Sequence, residues 1–235
     1  MWFLCVLGLC IQIRFNVQPE ATFHSLAMEF KEVNQTDSKE FREAMEIYTE
    51  AFPANERHSE QLIGQRVRDG LSKLYVASSD DEITFLAMLW PLETTEFILL
   101  DYMATKATHR AKGIASAFMT ELGKKLRNTR KYLIIEVEDP KFGDRQNEKE
   151  KRVKFYKRHG AKVLEGVRYL LPPLDGTVPT EMLLMMFPEH TGKEIGGALI
   201  KGVISQIYRD LYHRHEDDAL LGAFIHDIGD SVKLS

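Results

Sequence analysis

Between Asp101 and Leu126 the chain reads DYMATKATHRAKGIASAFMTELGKKL, and the rest of the sequence is organised around this stretch. A β-compatible run ends in a short basic loop, a glycine follows, and an amphipathic helix begins. Ile114, Phe118, Leu122 and Leu126 recur every four residues with Ala115 and Met119 beside them, so one stripe of this helix needs a sheet to cover it. Gly113 removes a Cβ where the helix begins and lets an anion approach the backbone closely. The first N–H groups of a helix have no intrahelical partners and carry the positive end of its dipole. Arg110 and Lys112 add full charges. Arg110, Ala111, Lys112, Gly113, Ile114, Ala115 and Ser116 together read as a phosphate or pyrophosphate site. The stretch is not a P-loop, because the glycine spacing and the Lys-Ser/Thr pair are wrong, and it lacks the glycines of a dinucleotide fingerprint.

The flanking sequence supplies an α/β domain. Strand-like runs fall at Met28–Val33, Lys73–Ser78, Thr84–Trp90, Glu96–Ala104, Tyr132–Glu138, Ala161–Leu170 and Thr180–Phe187. Ser38 reads as the N-cap of a helix carrying Phe41, Met45 and Tyr48, and Ser59 as the cap of a second helix ending at Gly70. Glu148–His159 is a charged helix stopped by Gly160. Strands broken by helices in this order predict a mixed sheet. Thr191-Gly192-Lys193-Glu194 has the form of a capping box, followed by Ile195, Leu199, Val203, Ile207 and Leu211 at four-residue steps. Ala219–Ile228 is a second helical run. These helices are expected to pack on the domain or on a second subunit. The predicted organisation is an apolar tail over 1–27, a domain over 28–190 and a helical extension over 191–235.

Composition narrows the function classes. A formal net charge of −4 leaves no overall footprint for nucleic acid. The apolar run at residues 2–13 is shorter than the roughly 20 residues that span a bilayer, and Arg14 follows it where a signal peptide would have its charge in front. Residues 1–27 are therefore expected to be dispensable, with a chain beginning at Met28 folding and binding its ligand. Both cysteines, Cys5 and Cys10, lie in that tail, which fits a reducing, cytoplasmic setting.

Two motifs in the same order give the chain a family likeness. Arg110, Gly113 and Ala115 fill the Gln/Arg-x-x-Gly-x-Gly/Ala pattern, and Phe155-Tyr156 with Gly160-Ala161 resembles the Phe-Tyr-x-x-x-Gly-Phe segment. Over about residues 28–188 the sequence resembles the GNAT superfamily of acyl-CoA-dependent N-acyltransferases. The resemblance implies a mixed, mostly antiparallel central sheet flanked by helices, to which the C-terminal helices are added. It implies acetyl-CoA as co-substrate, its pyrophosphate at Arg110–Ser116 and its pantetheine arm beside Met103, Ala104 and Thr105. Lys149 stands where the family often has an Asn, and Asn147 is the neighbouring candidate for that cofactor contact. By the same analogy Phe52–Arg57 and Tyr169–Pro173 line the acceptor side.

Amide formation from a thioester needs a group to take the amine's proton and a group to protonate the leaving thiolate. Tyr132, Ile134, Glu136 and Glu138 share a face by strand alternation, and carboxylates late in an apolar strand point to a cleft. Glu138 is the expected base, with Asp101 its competitor. Tyr156 is the expected acid, since a phenol with a pKa of about 10 stays protonated at neutral pH. His109 and His159 sit in basic segments and read as solvated. The acceptor is expected to be a primary amine, with neither nucleic acid nor membrane as partner. A non-catalytic acyl-CoA-binding module acting through the C-terminal helices is the alternative, but it needs neither Glu138 nor Tyr156. His226-Asp227 resembles the metal-binding step of HD phosphohydrolases without the other ligands that fold requires, so no metal is expected.

Overall fold

The computed structural model describes residues 28–235 apart from Asp175, so the apolar run of 1–27 lies outside the described residues. The order is β1 (Lys31–Val33), α1 (Lys39–Ala51), α2 (Glu60–Arg68), β2 (Lys73–Ser79), β3 (Glu82–Pro91), β4 (Phe97–Thr105), α3 (Ile114–Thr129), β5 (Tyr132–Glu138) and α4 (Gln146–Arg158). Then come β6 (Lys162–Glu165), β7 (Tyr169–Leu171), β8 (Thr180–Phe187), β9 (Glu194–Gly196), α5 (Gly197–Asp210), α6 (Ala219–Ile225) and β10 (Ser231–Leu234). The strands form one sheet in the order β1-β2-β3-β4-β5-β8-β6-β10-β9, with β7 also on β8. Among the described strands only β4 and β5 pair in parallel. The fold is the expected mixed, mostly antiparallel α/β architecture with C-terminal helices.

Local chemistry accounts for the helix starts. The Ser38 hydroxyl accepts from the Phe41 amide, and the Ser59 hydroxyl accepts from Leu62, which closes the first turns of α1 and α2. The apolar residues then sort to two faces of the sheet. α1 and α2 cover Leu74, Val76, Leu86, Met88 and Tyr102. On the same face, α5 and α6 cover Trp90, Phe97, Leu99, Ile134, Leu184 and Met186. α3 covers the other face through Ile114, Phe118, Leu122 and Leu126, against Phe85, Ala87, Leu100, Leu133 and Ile135. The four-residue steps of α3 thus do what the sequence predicts.

Three features depart from the sequence reading. Ala161–Leu170 is not one strand: Gly166, with φ +75°, breaks it into β6 and β7. Thr191 caps no helix, because Glu194–Gly196 is drawn into the sheet as β9 opposite β10, and α5 starts only at Gly197. The run after Ala219 yields a helix only to Ile225, followed by β10. The C-terminal segment therefore adds two short strands as well as helices. Its helices pack on this chain's own sheet, where Ile200, Ile204, Ile207, Tyr208 and Leu211 have no exposed surface. No helix of the described residues is long and apolar enough to cross a membrane.

Candidate active site

The sheet opens at the parallel pair of β4 and β5. β4 and β5 are in register from Phe97 with Tyr132 to Leu100 with Ile135. Beyond that point β4 continues along β3 to Thr105, while β5 continues along β8 to Glu138. The two strands run on without pairing each other, which leaves backbone edges facing a gap. A bulge sits at the mouth. Leu89 pairs Leu100 and Met88 pairs Tyr102, so Asp101 is an extra residue left out of the β3 ladder. Met103, Ala104 and Thr105 follow on the open edge, half-buried.

The far side of the gap leads to the start of α3. Ala111 and Gly113 both take positive φ, +62° and +84°, which turns the chain into the helix without a side-chain cap. The N–H groups of the first turn are thus left for water or a ligand. Arg110 is exposed, donates through Nε to the Thr105 carbonyl at 3.3 Å and lies 3.8 Å from Glu50. Lys112 is exposed beside it. A Cβ at Gly113 would meet nothing within 4 Å, so the surface there is open. Donors, cations and free space fit a pyrophosphate.

Three carboxylates stand at the opening in different company. Glu138 is held by cations: Lys149 Nζ lies 3.3 Å from Oε1 and Arg152 Nη2 2.8 Å from Oε2, with the Glu138 and Lys149 side chains 11% and 8% exposed. Lys149 Nζ also donates to the Phe142 carbonyl at 2.9 Å. Glu136 is held by neutral groups. The Tyr169 hydroxyl donates to Oε1, and the Tyr212 hydroxyl donates to Oε2 at 2.8 Å. Burial pushes Glu136 up to about 7, with the two phenols opposing it. Asp101 has a buried Oδ2 without a hydrogen-bond partner. Burial raises it to about 7 as well, with Arg66 opposing and the charge of Glu136 adding to the rise.

The α1–α2 connection packs on Tyr102, next to Asp101, while Tyr169 of β7 meets Glu136. The Tyr102 hydroxyl donates to the Glu56 carbonyl, and the Tyr48, Phe52 and Tyr102 rings pack edge to face or tilted within 5.6 Å of one another. His58 is half-buried with its Nε2 enclosed and unpartnered, and desolvation lowers it to about 4. Arg66 is 3% exposed, lies 5.1 Å over the Trp90 ring and donates to the Leu211 carbonyl at 2.8 Å.

Tyr156 belongs to the opposite face of the sheet. It packs against the α3 cluster and the Phe155 ring, and burial raises it to about 12 against the pull of Arg152. A phenol in that setting keeps its proton. Asn147 is exposed in the first turn of α4, whereas Lys149 turns inward to Glu138. His109 contacts the Thr108 hydroxyl and His159 the Phe155 carbonyl. Among the described residues no group of three or more His, Cys, Asp or Glu is arranged to hold a metal ion.

In the sequence Glu136 is marked by its placement inside an apolar strand. Nothing in a helical periodicity could single out Tyr212 as its partner.

Comparison with known proteins agrees with this fold. Residues 70–160 match the model of the acetyltransferase (GNAT) domain. No curated protein sequence matches the chain. A solved protein of Bacteroides thetaiotaomicron assigned to the GNAT family is 21% identical, with a TM-score of 0.67 over 80% of this chain and 99% of its own. The ribosomal-protein-S18-alanine N-acetyltransferase of Escherichia coli is 16% identical, with a TM-score of 0.52 over 71% of this chain and 97% of its own. An aminoglycoside 6'-N-acetyltransferase complexed with coenzyme A is 14% identical, with a TM-score of 0.53 over 69% of this chain and 99% of its own. The family match spans β2 to the end of α4, so the stretch that builds the opening and the turn into α3 is the part of this chain that is similar to a GNAT acetyltransferase domain.

Proposed function

We propose that the chain is a cytoplasmic N-acyltransferase that moves an acetyl group from acetyl-CoA to a primary amine. One observation carries the reading: the gap between β4 and β5 has an uncapped, cation-flanked helix start at one end and proton-binding carboxylates at its mouth. The residues present fit coenzyme A. Arg110, Lys112 and the amides of Gly113–Ser116 would hold the pyrophosphate. The open edge at Met103–Thr105 would bond the pantetheine arm as a strand bonds its neighbour. Asn147 is a further proposed contact from the exposed start of α4. The similar aminoglycoside acetyltransferase is described in complex with coenzyme A, which supports the choice. Bound there, acetyl-CoA supplies an activated acyl thioester.

The chain's own groups then handle protons. Glu138 lies within ion-pair distance of Lys149 and Arg152, although its Oε2 accepts no hydrogen bond, so we give it the role of tying α4 to the strand end. Glu136 and Asp101 exchange protons near neutrality, and in its ionised form either is a group we assign to receive the amine's proton. Tyr156, on the opposite face, holds a proton at Oη for the departing sulfur. A base on one face and an acid on the other suits an amine that enters from the α5 side.

Thiol release from acetyl-CoA, measured against amino acids, a polyamine, an aminoglycoside and a peptide with N-terminal alanine, tests the reading. Amine-dependent release is expected. Intact acetyl-CoA binding with no release in the presence of any amine would turn the assignment to a non-catalytic binding module.

A further inference from the structure

We infer that Tyr212, delivered by the turn after α5, is a positioning residue of the acceptor side, fixing the Glu136 carboxylate that receives the amine's proton. The use of that proton rests on the acyl-transfer reading; the contact does not. The geometry is a built one. Tyr212 and Tyr169 come from separate elements and donate to different oxygens of Glu136. The turn carrying Tyr212 is itself anchored. Arg66 of α2 donates to the Leu211 carbonyl, Leu211 has no exposed surface, and the Arg214 amide bonds the Tyr208 carbonyl. The C-terminal segment is thereby tied to α2 and to β5 at one point.

The chemistry of the partners decides between a role in packing and a role in proton transfer. A buried carboxylate paired with arginine would be fixed as an anion. Two phenols orient it and add no charge, so it stays able to take up and release a proton. The other charged or titratable groups facing it are Asp101 from β4 and Tyr208 from α5. Arg66 and His58 stand behind Asp101, with His213 near His58. Removing one phenol takes away a bond that favours the ionised form, so the affinity of Glu136 for its proton must rise.

The experiment compares wild type with Tyr212→Phe, which deletes one hydroxyl. Infrared difference titration reads the protonated carboxyl band of Glu136, identified by its loss in Glu136→Gln. Its midpoint is expected to move up by about one pH unit in Tyr212→Phe. The acid limb of kcat/KM for the amine should move up by the same amount. Turnover should therefore fall about tenfold on that limb and recover at alkaline pH, with acetyl-CoA affinity unchanged. A midpoint that stays put in folded Tyr212→Phe overturns the inference. So does a midpoint that moves while the pH profile of an active enzyme does not. If wild type acetylates no amine, the acyl-transfer reading fails on its own, and the infrared titration still decides whether Tyr212 sets Glu136. Should Tyr212→Phe not fold, 3-fluorotyrosine at 212 keeps the shape and strengthens the donor, and the midpoint must then move down.

Discussion

Glu136 and Glu138 sit two residues apart on β5 in opposite surroundings, phenols around one and cations around the other. Glu138→Gln would leave Lys149 buried with its charge uncompensated. Breaking a buried pair costs about 3 kcal/mol. The expected result is a lower thermal midpoint with turnover largely kept below it, and Lys149→Met in the same chain should restore much of the loss. Glu136→Gln should instead cut turnover about 100-fold or more while the protein stays folded. Its stability should change with pH in a defined direction. Glu136 holds its proton up to about 7, whereas the unfolded chain releases it near the ordinary 4.5. Between those values the native state binds more protons, so stability falls as pH rises and levels off above about 7. Asp101 acts with the same sign; His58, lowered to about 4, acts with the opposite sign between that value and 6.5. The clean readout is the difference between Glu136→Gln and wild type. From pH 5 to pH 8 the variant should gain on the order of 5 °C relative to wild type. Tyr156→Phe keeps the ring in its cluster and removes only the proton, so turnover should fall about 100-fold with acetyl-CoA affinity unchanged.

At the scale of elements, the turn into α3 makes the sharpest prediction. Gly113→Asp meets no neighbouring atom, so a clash is not what would harm it. A φ of +84° strains any side chain, and a carboxylate there repels the pyrophosphate. Calorimetry should show acetyl-CoA affinity reduced about tenfold, roughly 1.4 kcal/mol. Gly113→Asn tolerates left-handed backbone without the charge, and should lose less. This element was readable in advance because glycine, basic residues and a four-residue stripe are all local signals. The capped starts of α1 and α2 were readable for the same reason. β9 and β10 were not. Each is short, and each is a strand only because the other lies beside it, a pairing 35 residues apart that overrides the helical pattern of Ile195 onward. The acceptor side was half readable. Asp101 and the two glutamates are visible as polar residues in apolar strands, but which of them meets a cation and which a phenol depends on α4 and on the turn after α5.

For the whole molecule, the C-terminal segment is part of the core and reaches Glu136 through Tyr212. Gly197 is where it joins the sheet: its amide donates to the Asp230 carbonyl, and a Cβ there would lie 1.7 Å from the Gly229 carbonyl oxygen. Gly197→Ala must therefore shift backbone, and should cost about 1–3 kcal/mol of stability. Because Tyr212 hangs from the same segment, the loss should also reach turnover well below the melting temperature, which kinetics on the folded variant would show. The bulge in β4 has a consequence for redesign. Asp101 owes its place to an offset in length between two neighbouring strands: β4 spends one more residue than β3 over the same span. Deleting that residue would let the two strands run edge to edge without a break, and the domain would lose a carboxylate that no substitution at a regular position could put back. An engineer wishing to move this carboxylate along the sheet would have to move an insertion.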